Sequence, residues 1–197
     1  MRLTSLAIAA GLATVTVLGT GTAAHAERAS IKDKRADVVL TTMWDEGYQE
    51  RGLGRTESKK SGIDAKLVRF DHRRRTVSVT VKFSRLKSAA GLSVAFYAPG
   101  SDEPDFELYG DLDSSDADVM DADYDHACSA SLKGREGRNG WMTATVKRSC
   151  LGDLPKVRIT AEAFRVVEKD ESVLIYGDAL SAKKIRTAQK SRLLAAG

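Results

Sequence analysis

Histidine and cysteine are nearly missing from this sequence: 197 residues hold three of the first and two of the second. That scarcity removes whole classes of chemistry. There is no C-x-x-C and no H-x-x-x-H, so a zinc site has no ligand set. There is no G-x-S-x-G elbow for a serine hydrolase. Past residue 26 only His72 and His126 remain, and each directly follows an aspartate. That arrangement prepares no imidazole to act as a base. A long apolar run is also missing after residue 26, so no membrane span is expected in the mature chain. From Ser101 to Ala127 there are eleven acids and no base.

The amino terminus has a different character. Arg2 is followed by an apolar run from Leu3 to Leu18, then small residues and the A-x-A sequence Ala24-His25-Ala26. This pattern predicts a secretory signal peptide over residues 1–26, with cleavage between Ala26 and Glu27. No Arg-Arg pair and no nearby cysteine point to twin-arginine export or a lipid anchor. The expected route is Sec-type, and the expected location is extracellular. In an exported chain the pair Cys128 and Cys150 reads as one disulfide, worth roughly 3 kcal/mol in the chain-entropy account. The alternative is two free buried thiols.

Strand patterns dominate the mature chain. TVSVTVKF, residues 76–83, alternates so that Val77, Val79, Val81 and Phe83 share one face. IDAKLVRF before it places Val68 and Phe70 together, and DHRRR between the two predicts an antiparallel hairpin. Further strands are expected over 37–43, 92–98, 105–109, 124–132, 141–147 and 157–167, with ESVLIYG adding a last short one. The turn signals APG, KGREGRNG and LGDLP separate several of them. Short strands at this spacing predict an all-β fold, an antiparallel β-sandwich of immunoglobulin-like or jelly-roll-like type, with one disulfide and polar termini. The expected divisions are a loose segment over 27–35, the sandwich over 36–181, and a polar tail or short helix over 182–197. A long polar connection over 45–62 is left without structure.

DLDSSDADVMDADYD, residues 111–125, holds seven aspartates in fifteen positions. An EF-hand needs glycine at its sixth position and glutamate at its twelfth. Counting from Asp121 gives His126 and Leu132, and counting from Asp111 gives Asp116 and Ala122, so neither register works. An irregular calcium site stays open, against a solvated acidic hairpin balanced by bases such as Arg73 to Arg75. A glycosidase pair would need one carboxylate in an apolar pocket, and this run is too hydrophilic to supply it. GRTESKKS, residues 54–61, approaches a phosphate-binding loop, but Lys59 replaces the second glycine that the backbone nest requires.

Exposed rings can stack on sugars. Trp44 and Tyr48, beside the long connection, are the candidate ligand-contact residues, as a two-ring platform; core packing or loop anchoring is the alternative. Nucleic acid is not an expected partner, because the acidic block opposes it and no aromatic-basic interleaving occurs.

Several stretches carry a resemblance. DVVLTT, GIDAKLVRFDHRRRTVSVTVKFSRL, ACSASL and VKRSCLGDLPKVRITA are similar to a set of small secreted actinobacterial β-sandwich proteins of unassigned function. More remotely, the strand order resembles DOMON-type and carbohydrate-binding modules. The resemblance implies ligand binding rather than catalysis and names no contact residue. The expected function is a secreted, monomeric, non-catalytic binding or envelope-associated protein, its ligand left open, with a cell-wall or extracellular polysaccharide as the candidate. No cofactor is expected, with calcium held at 111–125 as the open alternative. A secreted hydrolase with an unrecognised site is the other.

Overall fold

A computed structural model describes residues 26–114, 116–183 and 186–197. The predicted signal peptide therefore lies outside the described residues, apart from Ala26. The chain runs as β1 (Glu27–Lys32), β2 (Val39–Trp44), β3 (Gly47–Gly52), helix α1 (Arg55–Ser61), β4 (Ala65–His72), β5 (Thr76–Phe83), β6 (Arg85–Leu86) and β7 (Ala90–Tyr97). It continues as β8 (Phe106–Asp111), β9 (Asp116–Asp121), β10 (His126–Arg135), β11 (Gly137–Arg138) and β12 (Trp141–Lys147). A 3-10 turn (Arg148–Leu151), β13 (Lys156–Lys169), β14 (Ser172–Ala179) and β15 (Leu194–Ala195) complete it.

The alternation in TVSVTVKF does what its period requires. Val77, Val79, Val81 and Phe83 are all 1% exposed or less. Val79 lies opposite Phe70 of β4 on one side and Ala144 of β12 on the other. On the outer face, hydroxyls pair across the strands, Ser78 with Thr145 at 3.2 Å and Thr80 with Thr143 at 3.0 Å. The sheet extends in both directions in the order β1-β4-β5-β12-β10-β9-β8-β7-β13-β14-β2-β3, antiparallel throughout. It curls until β4 comes against β13. The result is an all-β, sandwich-like fold whose inner face holds one contiguous apolar core. Cys128 of β10 and Cys150 of the 3-10 turn form the expected disulfide.

Closure of the curl brings in segments that the sequence pattern leaves loose. Residues 27–35 include edge strand β1, paired along β4, with Ile31 buried. Its single strong apolar residue gives too weak a period to recognise. The polar tail ends in β15, which pairs with β13. Leu194 is fully buried, and its carbonyl lies 3.0 Å from the His72 ring. The long connection contains β3, a hairpin partner of β2, and then α1. In α1, Glu57 makes two 3.0 Å bonds with Arg51 and accepts from the Gly54 N–H. β9 is a further strand that the acidic composition concealed; Ala117 and Val119 supply its buried face.

Candidate metal centre

The seam where the curl closes carries four buried aspartates. Asp33 follows β1, Asp37 precedes β2, Asp64 precedes β4 and Asp178 is in β14; they are 4%, 6%, 2% and 1% exposed. Asp178 lies directly opposite Ala163 of β13. Residues opposite one another share a face, so Asp178 points inward, and the small alanine leaves it room.

Three of the four are tied down by backbone N–H groups from other segments. The Asp33 Oδ1 accepts from Ser181 at 2.7 Å, the Asp64 Oδ1 from Ala36 at 2.7 Å, and the Asp178 Oδ2 from Ala65 at 2.8 Å. The Ala36 bond holds a left-handed turn, φ 68°, at a residue with a Cβ. Such a conformation persists only where its surroundings enforce it. Each of these three carboxylates thus has one oxygen fixed. Asp33 Oδ2, Asp37 Oδ1, Asp64 Oδ2 and Asp178 Oδ1 are buried and accept no hydrogen bond from the described residues.

Asp33, Asp37 and Asp178 each offer an oxygen, and these atoms lie within 4.8 Å of one another. Among the described residues no lysine or arginine forms an ion pair with any of the four aspartates. The electrostatic consequence is large. Burial pushes the Asp33 carboxyl up to about 7; the Ser181 N–H opposes the push, and the Asp37 and Asp64 charges add to it. Burial, with the Asp64 charge adding, pushes Asp37 up to about 6. Burial and the Asp33 charge hold Asp178 well above the usual carboxylate range. An unpartnered buried charged oxygen costs at least 1–3 kcal/mol or so. The cluster must take up protons or a cation.

The donor set favours a hard cation, because every candidate ligand is a carboxylate oxygen and no sulfur or imidazole is present. Calcium–oxygen distances run from about 2.3 to 2.6 Å, which puts opposed ligands about 4.8 Å apart. Three oxygens within that span can surround one calcium ion. The Ser181 and Ala65 N–H groups hold the Asp33 and Asp178 carboxylates in place, as outer-shell partners do for the ligands of metal sites.

The aspartates that crowd together in the sequence are arranged otherwise. In 111–125 they close their own turns. Asp111 Oδ1 accepts from the N–H of Asp113 and Ser114, both at 2.9 Å, and Asp121 Oδ1 from those of Asp123 and Asp125, both at 3.0 Å. Asp116 and Asp118 face solvent from β9. The balancing bases expected at Arg73 to Arg75 are elsewhere engaged in part, since Arg73 pairs with Asp71 at 3.1 Å. His126 is the side chain that meets the run, 3.4 Å from Asp118.

Trp44 and Tyr48 are both exposed, at 43% and 69%. In the β2–β3 register Tyr48 is opposite Met43 and Trp44 is opposite Gly47. Side chains alternate along a strand, so the two rings leave from opposite faces and form no common platform. Trp44 borders an open hollow of about 740 Å3 with Asp45, Glu46, Glu168, Asp170 and Glu171 on its wall. His72 is fully buried, and burial holds its ring below the usual histidine range. It is a buried residue of the seam.

No local pattern announces the four aspartates, which are spread from position 33 to position 178. The faint signals are IDA and GDA, where Asp64 and Asp178 interrupt apolar strand runs. Among the described residues no helix is long and apolar enough to cross a membrane. No family model, no curated protein and no solved structure matches the chain.

Proposed function

We propose that the protein is an exported, non-catalytic β-domain that binds calcium at Asp33, Asp37 and Asp178, with Asp64 beside them. The observation that carries this reading is that Asp33, Asp37 and Asp178 each bring a carboxylate oxygen within 4.8 Å of the others, while each also has a buried oxygen without a hydrogen-bond partner among the described residues and Asp33 and Asp178 are held by backbone N–H groups. The ion would join the β1–β2 connection to the end of β14, and so fasten the seam. Calcium is present outside cells at concentrations suited to weak sites, and the disulfide fits the same compartment. An envelope-associated binding role suits a seam that is locked only after export.

The test is a pair of thermal melts on residues 27–197 at pH 8, in chelator and in millimolar calcium. At about ten times Kd the ion adds about 1.4 kcal/mol. For a domain of this size that raises Tm by roughly 3–6 °C. Magnesium at matched ionic strength should do less, because it resists an irregular site. Asp178→Asn should abolish the response. Identical melts in calcium and chelator would remove the reading.

A further inference from the structure

Several arginines near the edges of the sheet have an acidic partner. Arg28 meets Asp71, Arg51 meets Glu57, Arg186 meets Glu50 and Arg192 meets Glu27. One face gathers several bases that have none. An open hollow of about 710 Å3 beside α1 is walled by Arg35, Arg55, Lys59, Lys66 and Arg85. Among the described residues, Arg35, Arg55, Lys59 and Arg85 make no ion pair and no side-chain hydrogen bond. Arg85 is also held opposite Arg138 in the β6–β11 ribbon, and like charges directly opposite are destabilising. Nothing among the described residues relieves them.

Lys66 continues this hollow into a second one of about 520 Å3, lined also by Lys82, Arg135, Leu67 and Trp141. Here the register is informative. Trp141 lies opposite Arg135 on one side and Lys82 on the other. The three side chains share the outer face of the sheet, so one ring stands between two cations. The strands that carry those cations are two spacings, about 10 Å, apart.

We propose that this face binds an anionic polysaccharide. The cations would pair with its carboxylate or sulfate groups, and a sugar ring would stack on Trp141 between Arg135 and Lys82. A single ring flanked by bases suits a sugar better than a strand of nucleobases, which recruits successive aromatic platforms. The face also differs in charge from the Trp44 hollow, whose carboxylates would repel an acidic glycan. Asp64 lies at the wall of the first hollow, but the binding face is built from other side chains and does not require the calcium site.

The test uses heparin as the probe and is run in chelator, so that it reads this face apart from the cation site. Wild-type protein should bind heparin, with affinity falling steeply between about 50 and 200 mM salt, and should ignore neutral dextran. The double variant Arg55→Glu/Lys59→Glu, on exposed turns of α1, should weaken binding roughly tenfold or more with the near-UV spectrum unchanged. Trp141→Ala should weaken it as well. Arg74→Glu/Arg75→Glu, at the opposite end of the β4–β5 hairpin, should leave it within about twofold. The proposal is overturned if heparin does not bind or if the hairpin-turn variant loses as much as the α1 variant. It is overturned equally if an oligothymidylate binds as tightly as heparin without regard to Trp141.

Discussion

Replacing Asp33 with asparagine should make the metal-free protein more stable at neutral pH, although it alters a buried group tied to the Ser181 backbone. The folded-state carboxyl of Asp33 sits at about 7, against 3.8 for an unperturbed aspartate. A raised pKa means that the folded state holds its proton longer than the unfolded chain does. The stability this gives is complete below 3.8 and is lost as pH rises through 7. By pH 8 the loss is about 4 kcal/mol, of which about 3 kcal/mol falls between pH 5 and pH 8. That is a large part of the 5–15 kcal/mol or so that holds a typical domain together. His72 acts in the opposite sense. Its pKa is lowered by burial, so its contribution is complete above the unfolded value and is lost as pH falls.

The quantity to measure is therefore the difference between wild type and Asp33→Asn, in chelator, by urea unfolding at both pH values. His72 is common to the two proteins and cancels. Asp178 feels the Asp33 charge, so its pKa relaxes downward in the variant and adds to the effect in the same direction. With a urea m-value of about 2 kcal/mol/M, the variant should gain about 1.3 M in midpoint relative to wild type on going from pH 5 to pH 8. Adding calcium at pH 8 should then raise the wild type and leave the variant unmoved. A difference between the two proteins that does not change with pH would refute the reasoning, because it would mean that Asp33 ionises as freely when folded as when unfolded.

Two further outcomes test the frame around the site. Leu194→Ala, or removal of residues 192–197, should destabilise the protein by roughly 2–5 kcal/mol, since Leu194 is fully buried in the seam. Equilibrium unfolding gives the value directly, and an unchanged midpoint would return the tail to the solvent. The double variant Cys128→Ser/Cys150→Ser should lose roughly 3 kcal/mol, and alkylation of the native protein without reductant should add no mass if the bond of Cys128 to Cys150 forms in solution.

The sequence by itself determined the class of fold and the strongest strands. TVSVTVKF alternates with period two and buries its four apolar side chains to within 1%, because local alternation is enough to choose a face. It also determined the disulfide, since two cysteines allow one pairing. Weakly patterned segments escaped it. β1 has one strong apolar residue, β15 has two residues in all, and β9 alternates alanine and valine with aspartate; each is a strand because a neighbour offers it hydrogen bonds. Charge density proved a poor guide to chemistry. The seven aspartates of 111–125 are close in sequence, but Asp111 and Asp121 spend an oxygen on local turns, Asp113 accepts from the Ala89 N–H, Asp118 meets His126, and Asp116 faces solvent. Asp33, Asp37 and Asp178 converge only because a curled sheet closes there, and Trp141 falls between Arg135 and Lys82 only through the register of three strands. A carboxylate becomes a ligand through burial and convergence, and both are properties of the closed seam rather than of any stretch of chain.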